Sequence, residues 1–154
     1  MGTASSRAGK ELSEDEVRAM LASNHHGVLS MGADDRGYGL PMTYGYDEAD
    51  DRLVLGFVSA PDSKKRRFVA AAEEVTLTVY TYEDVDSWRS VVVTGTLESV
   101  SESEVSGHLA PLFFVEEDEA TGERRFVEFG ELEREWYEFR IDDLSGRHSG
   151  WPED

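Results

Sequence analysis

The first apolar residues of the chain recur at helical spacing. Val17, Met20 and Leu21 share one face, Ser13 and Glu16 stand three apart as in a capping box, and Leu12 is placed to staple against Val17. The pattern predicts a helix over residues 12–23, ended by Asn24-His25-His26-Gly27. The period then falls to two. Residues 28–33, 38–46 and 52–58 read as strands, joined by Asp34-Asp35-Arg36-Gly37 and by a turn over 47–51. Val75-Thr76-Leu77-Thr78-Val79-Tyr80-Thr81-Tyr82 alternates strictly and is β-branched or aromatic throughout. A long strand over 87–100, interrupted at Gly95, and a last one over 136–141 follow, with Asp142 to Arg147 closing the domain. Helices are also predicted behind Ser63 and, after the capping pair Ser101 and Glu104, over 101–109. Residues 111–135 embed Phe113, Phe114, Phe126 and Phe129 in acidic sequence and fit a flap or a partner-facing segment.

Consecutive strands lack a crossover helix of βαβ length except around residues 64–72. This order predicts a mainly β (α+β) fold, an antiparallel six-stranded β-barrel with a few short helices. Pro41 falls inside the second strand, where it cannot donate to a ladder, so the barrel should be split or open there. One domain is expected over residues 12–154, behind a disordered tail at 1–11.

Charge narrows the functional classes. Asp and Glu number 33 against 15 Lys and Arg, a formal charge of −18, which disfavours nucleic acid and anionic membrane as partners. Only three residues are lysine, and this balance points to a protein adapted to high salt. With no cysteine, disulfides and thiolate chemistry are excluded. No apolar run approaches the length of a membrane span, and residues 1–10 are small and polar, unlike a secretory signal. The expected location is the cytoplasm.

Against this acidity stands Ser63-Lys64-Lys65-Arg66-Arg67. Pro61 and Asp62 form a turn and Ser63 is a suitable N-cap, so four cations fall in the first turn of a helix, the end where the dipole is already positive. An anion such as a phosphate would offset that placement. Neighbouring carboxylates would do the same.

In order along the chain, Leu40-Pro41-Met42-Thr43-Tyr44, Phe57 to Lys65, Arg89 to Gly95 and Leu144-Ser145-Gly146-Arg147 resemble segments of the FMN-binding split-barrel family, the pyridoxamine 5'-phosphate oxidase-like flavoproteins. The resemblance implies that Ser63, Lys64 and Lys65 hold the FMN phosphate and that Ser59 and Ala60 line the path to it. It implies that Met42, Thr43 and Tyr44 meet the isoalloxazine largely through backbone, and that Ser90 gives it a polar contact. It further implies a homodimer with FMN at the interface and an FMN-dependent oxidoreductase acting on a small molecule. A non-catalytic protein binding flavin, haem or deazaflavin is the alternative. Lys64 keeps the charge of a frequent arginine but not its bidentate fork.

Other candidates carry less. Tyr38, Tyr44, Tyr46 and Trp88 could stack on a flavin or substrate, and Trp88, two residues before Ser90 on the same strand face, is the best placed on the substrate side. At strand spacing such aromatics more often build a core. His25 and His26 are adjacent, so they point apart and make a poor metal pair. Gly37-Tyr38-Gly39 lacks the third glycine of a dinucleotide fingerprint.

Overall fold

The alternating segments pair in sequence-local hairpins. A computed structural model describes residues 9–60, 62–105, 115–126 and 133–150. Its elements are β1 (Lys10–Glu11), α1 (Glu14–Ser23), β2 (His26–Ala33), β3 (Arg36–Asp47), β4 (Arg52–Ser59), α2 (Lys64–Ala71), β5 (Val75–Asp84), β6 (Ser87–Val100), a 3-10 turn (Glu102–Glu104), β7 (Val115–Glu117), β8 (Arg124–Phe126) and β9 (Glu133–His148). β2 and β3 meet through Asp34 and Asp35, both at positive φ (51° and 62°), as a two-residue hairpin turn of mirror type requires.

Six strands close on themselves in the order β9-β4-β3-β2-β5-β6, because β9 also pairs with β6, and every pairing is antiparallel. β1 adds a seventh, two-residue strand on β9 (Lys10↔His148, Glu11↔Arg147), so these residues, expected in the tail, belong to the sheet. The tail expected at 1–8 lies outside the described residues. β9 is much longer than the expected 136–141. Its last half, read as a closing segment, stays in register with β6 as far as Arg89↔His148. β6 is continuous through Gly95, where the β6–β9 register shifts. A Cβ on Gly95 would sit 1.8 Å from the Arg140 carbonyl oxygen, so the bulge needs glycine for close backbone approach. Of the helix expected over 101–109, the described part is the single 3-10 turn.

The inward set, including Leu29, Leu53, Leu55, Leu77, Val79, Val91 and Val93, is fully buried. α1 stacks Val17, Met20 and Leu21 onto it, with Leu12 just ahead of the helix, and is capped as its sequence predicts: Glu16 N–H donates to Ser13 Oγ (3.2 Å) and Ser13 N–H to Glu16 Oε1 (2.8 Å). On the outer side a second cluster of Val54, Val105 and Trp136 seats the 3-10 turn, with Trp136 Nε1 donating to Glu102 at 3.3 Å.

The split lies where Pro41 places it. β3 pairs with β2 over Arg36 to Thr43 but with β4 only over Tyr44 to Asp47, so the β3–β4 ladder stops at Tyr44↔Leu55. α2 lies against the opened stretch. Phe68 is buried and stacks on Tyr38 with ring centroids 5.2 Å apart.

Candidate functional site

β4 ends at Ser59, and the chain turns through Ala60 into α2. Ser63 is the N-cap: its Oγ accepts from Arg66 N–H at 3.2 Å, while its own N–H donates to the Ala60 carbonyl at 3.1 Å. The N–H groups of the first helical turn have no acceptor within the helix. Three side chains converge beside them. Ser59 is buried, and its Oγ accepts from Arg66 Nε at 3.0 Å. Arg66 Nη1 meets Glu135 at 2.9 Å, and Tyr137 donates to the other oxygen of Glu135 at 2.8 Å. Lys65 Nζ donates to the Val58 carbonyl at 3.1 Å and lies 5.8 Å from the Phe57 ring centroid. Val58 is beyond the last β3–β4 pair, so the lysine supplies a donor where the ladder has stopped. Burial pushes the Lys65 ammonium below its ordinary range.

Of the two ways of offsetting the cations, the carboxylate is present at Arg66. Glu135 neutralises Arg66, whereas Lys64 points its Nζ over Tyr38 (5.2 Å) and Phe68 (5.9 Å). Arg67 donates to the Asp62 carbonyl at 3.2 Å. Ser59, Ala60, Ser63 and Lys65 lie together at the turn from β4 into α2, while Lys64 faces the rings at the split. Pro61 lies outside the described residues.

The residues expected around a flavin ring divide between two faces. Met42 and Tyr44 point inward. Tyr44 is fully buried; its hydroxyl donates to the Leu21 carbonyl at 2.7 Å and its N–H to His25 at 2.9 Å, so the core takes both groups. Tyr46 is also a core residue, held by Arg18 (3.0 Å) and by Asp51 at 2.5 Å. Thr43, Ser90 and Trp88 lie on the outer face.

That face has an unusual composition. The registers align Gly39, Ser30, Thr76 and Thr94 in one row across β3, β2, β5 and β6, and Pro41, Val28, Thr78 and Val92 in the next. Thr43 pairs with His26, Tyr80 with Ser90, and Tyr82 with Trp88. None of these positions is Asp, Glu, Lys or Arg, although 31% of the chain is charged. Charge borders the face on β9, with Asp143 beside Thr94 and Arg147 beside Ser90, and on β6 at Arg89. Tyr80, Tyr82 and Val92 are 63%, 64% and 38% exposed on it. Two cavities open here and share Tyr80. One, about 540 Å³, is bounded by His26, Gly27, Val28, Pro41, Met42 and Thr43; the other, about 290 Å³, by Thr78, Tyr82, Trp88, Arg89 and Ser90. Among the described residues no cluster of His, Asp and Glu could hold a metal ion.

Sequence reasoning missed Arg66, Glu135, Tyr80 and Tyr82. The strict alternation of β5 already put both tyrosines opposite Val75, Leu77 and Val79. The cation run marks Arg66 only as one of four, and nothing local marks its partner Glu135, which it meets across almost half the chain.

Solved structures share this architecture. The FAD and heme binding protein of Mycobacterium smegmatis aligns with a TM-score of 0.66 at 21% identity, covering 92% of this chain and 74% of that one. An FAD-binding protein from Mesorhizobium loti aligns with a TM-score of 0.60 at 21% identity, over 90% and 96% of the two chains. The FAD binding protein of Mycobacterium smegmatis does so with a TM-score of 0.60 at 20% identity, over 90% and 97%. No curated protein sequence matches the chain. The sequence pattern of the pyridoxamine 5'-phosphate oxidase family matches residues 13–148. With a split barrel, a capped helix at the split and this match over most of its length, the chain belongs to the pyridoxamine 5'-phosphate oxidase family.

Proposed function

We propose that this protein is a homodimeric, cytoplasmic flavoprotein that binds FMN and transfers reducing equivalents to a small molecule. The observation that carries the reading is the donor cluster at the split. A helix N-terminus, the Ser59 hydroxyl and the Lys65 ammonium stand together, and each favours a phosphate dianion. Ser63 closes the turn, and Lys64 is one residue away. FMN ends in such a phosphate, whereas the FAD named for the solved neighbours carries a diphosphate in the chain's interior. The flavin supplies electron and hydride acceptance when bound. The chain's part is to hold the phosphate and bury one ring face against Pro41, Thr43 and Tyr80. Ser90 and Trp88 would border the substrate.

The dimer reading rests on the charge-free face. Two chains of −18 repel at every other approach, and this face lets them meet without burying an unpaired charge. Among the described residues no helix is long and apolar enough to cross a membrane.

Titration of apoprotein with FMN, FAD and riboflavin tests the cofactor. FMN should bind tightest. Lys64→Ala with Lys65→Ala should lose about a hundredfold for FMN, the size of two charge-assisted contacts, and little for riboflavin. Arg124→Ala with Arg125→Ala removes the same formal charge and should change neither. Equal FMN binding by the Lys64/Lys65 variant and the parent would move the phosphate site elsewhere. Anaerobic mixing with a nicotinamide donor tests catalysis: a bound flavin that no donor bleaches makes the protein a binder and refutes the oxidoreductase.

A further inference from the structure

We infer that Arg66 is a positioning residue, which aims the Ser59 hydroxyl proton at the bound phosphate. The inference rests on the flavin reading and concerns how that site selects its anion. Ser59 is 6% exposed at the end of β4, and its oxygen accepts from Arg66 Nε at 3.0 Å. A guanidinium has no acceptor, so the single Ser59 proton cannot return along that bond. Among the described residues that proton is donated to no group. A buried hydroxyl that accepts but does not donate is a half-used donor beside a helix N-terminus.

The arginine is held so that its direction is fixed. Nη1 is tied to Glu135 at 2.9 Å, and Tyr137 fixes the other carboxylate oxygen at 2.8 Å. The planar fork therefore spans β9 and β4 at once, leaving Nε no freedom to leave Ser59. Glu135 also neutralises the guanidinium, so the net field offered to an anion is small. What Arg66 contributes is the orientation of a dipole. A plain tie between α2 and β9 would need the Glu135 contact but not the Ser59 one.

The test is a double-mutant cycle on the full chain, read by FMN and riboflavin titration and by thermal melting. Ser59→Ala and Arg66→Gln should each weaken FMN about tenfold, the size of one hydrogen bond to a charged group, with riboflavin unchanged. If Arg66 acts through Ser59, the double variant loses no more than Ser59→Ala alone. Arg66→Lys keeps the charge but not the two-way fork and should behave as Arg66→Gln. Additive losses, full affinity in Arg66→Lys, or a riboflavin loss equal to the FMN loss would overturn the positioning role. Should Arg66→Gln fail to fold, Ser59→Ala with Arg66→Lys completes the cycle. A parent protein that binds no FMN would overturn the flavin reading itself, and the role of Ser59 with it.

Discussion

A single carboxylate in the middle of the charge-free face should take the protein apart into folded monomers. Val92 is the residue to change. It is directly opposite Thr78, lies one row from the Tyr80–Ser90 pair, and is 38% exposed in the isolated chain. That exposure means Val92→Asp leaves the carboxylate in water when the chain is alone, and the penalty to folding is about 1 kcal/mol of strand preference. In the proposed dimer the same group is desolvated, and the cation bordering the face, Arg147 beside Ser90, is already engaged by the Gly9 carbonyl. An uncompensated buried charge costs about 3–5 kcal/mol, and a two-fold interface carries two of them. The dimer should weaken by about 6–10 kcal/mol, or roughly four to seven powers of ten in dissociation constant. Thr96→Asp is the control: it adds the same charge to the same strand, past the Gly95 bulge, where Thr96 is exposed and pairs with Arg140. Sedimentation equilibrium with circular dichroism on both variants gives the answer. Val92→Asp should sediment as a monomer with native ellipticity, and Thr96→Asp as the parent. A Val92→Asp protein that stays dimeric, or a Thr96→Asp protein that dissociates equally, would refute the assignment.

Two further expectations follow from charge and from buried phenols. With −18 per chain, doubled on association, the melting temperature should rise steeply from low to molar salt; a flat or falling series would remove the salt-adaptation reading. Burial pushes Tyr46 up to about 12, with Asp51 adding to it; burial and then Glu135 do the same to Tyr137, also to about 12, and burial carries Tyr44 further up. Because these folded values lie above the unfolded value of about 10, the stability they contribute is complete below that pH and is lost as pH climbs through the folded values. Melting temperatures should fall over that alkaline window, with part of the tyrosinate absorbance appearing only as ellipticity is lost; melting temperatures that hold steady there would contradict it.

The barrel was legible because its hairpins are local. The turn at Asp34-Asp35, the alternation from Val75 and the capping box at Ser13 are each decided within a few residues. The β9 extension was not. Asp142 to Arg147 read as a closing segment, yet pairing with the long β6 holds them extended. Leu12 and Val17 pack over Gly146: a Cβ there would lie 2.9 Å from Leu12 and 3.1 Å from Val17. The site shows the same division. The Ser63 cap and its cations could be read from spacing, but whether the cations meet carboxylates or a ligand depends on β9. Glu135 becomes a neighbour of Arg66 only once Phe57↔Glu135 is in register. Tyr44 illustrates the reverse case: its segment resembles a flavin edge, while the alternation that makes it a strand turns its ring into the core.

β9 has a consequence for synthesis. It supplies the partner for the outer edge of β4 over Leu53 to Ser59 and for the free edge of β6 over Arg89 to Val100. Neither edge is satisfied until residues 133–148 have emerged. At ~5–20 residues per second, translation from Val100 to His148 leaves both edges open for roughly two to ten seconds, far longer than hairpin formation takes. Open edges of this kind template strand addition between nascent chains on neighbouring ribosomes. The acidity of the sequence then acts before there is a fold to stabilise, because chains that repel one another at every stage of elongation are slow to pair by their edges.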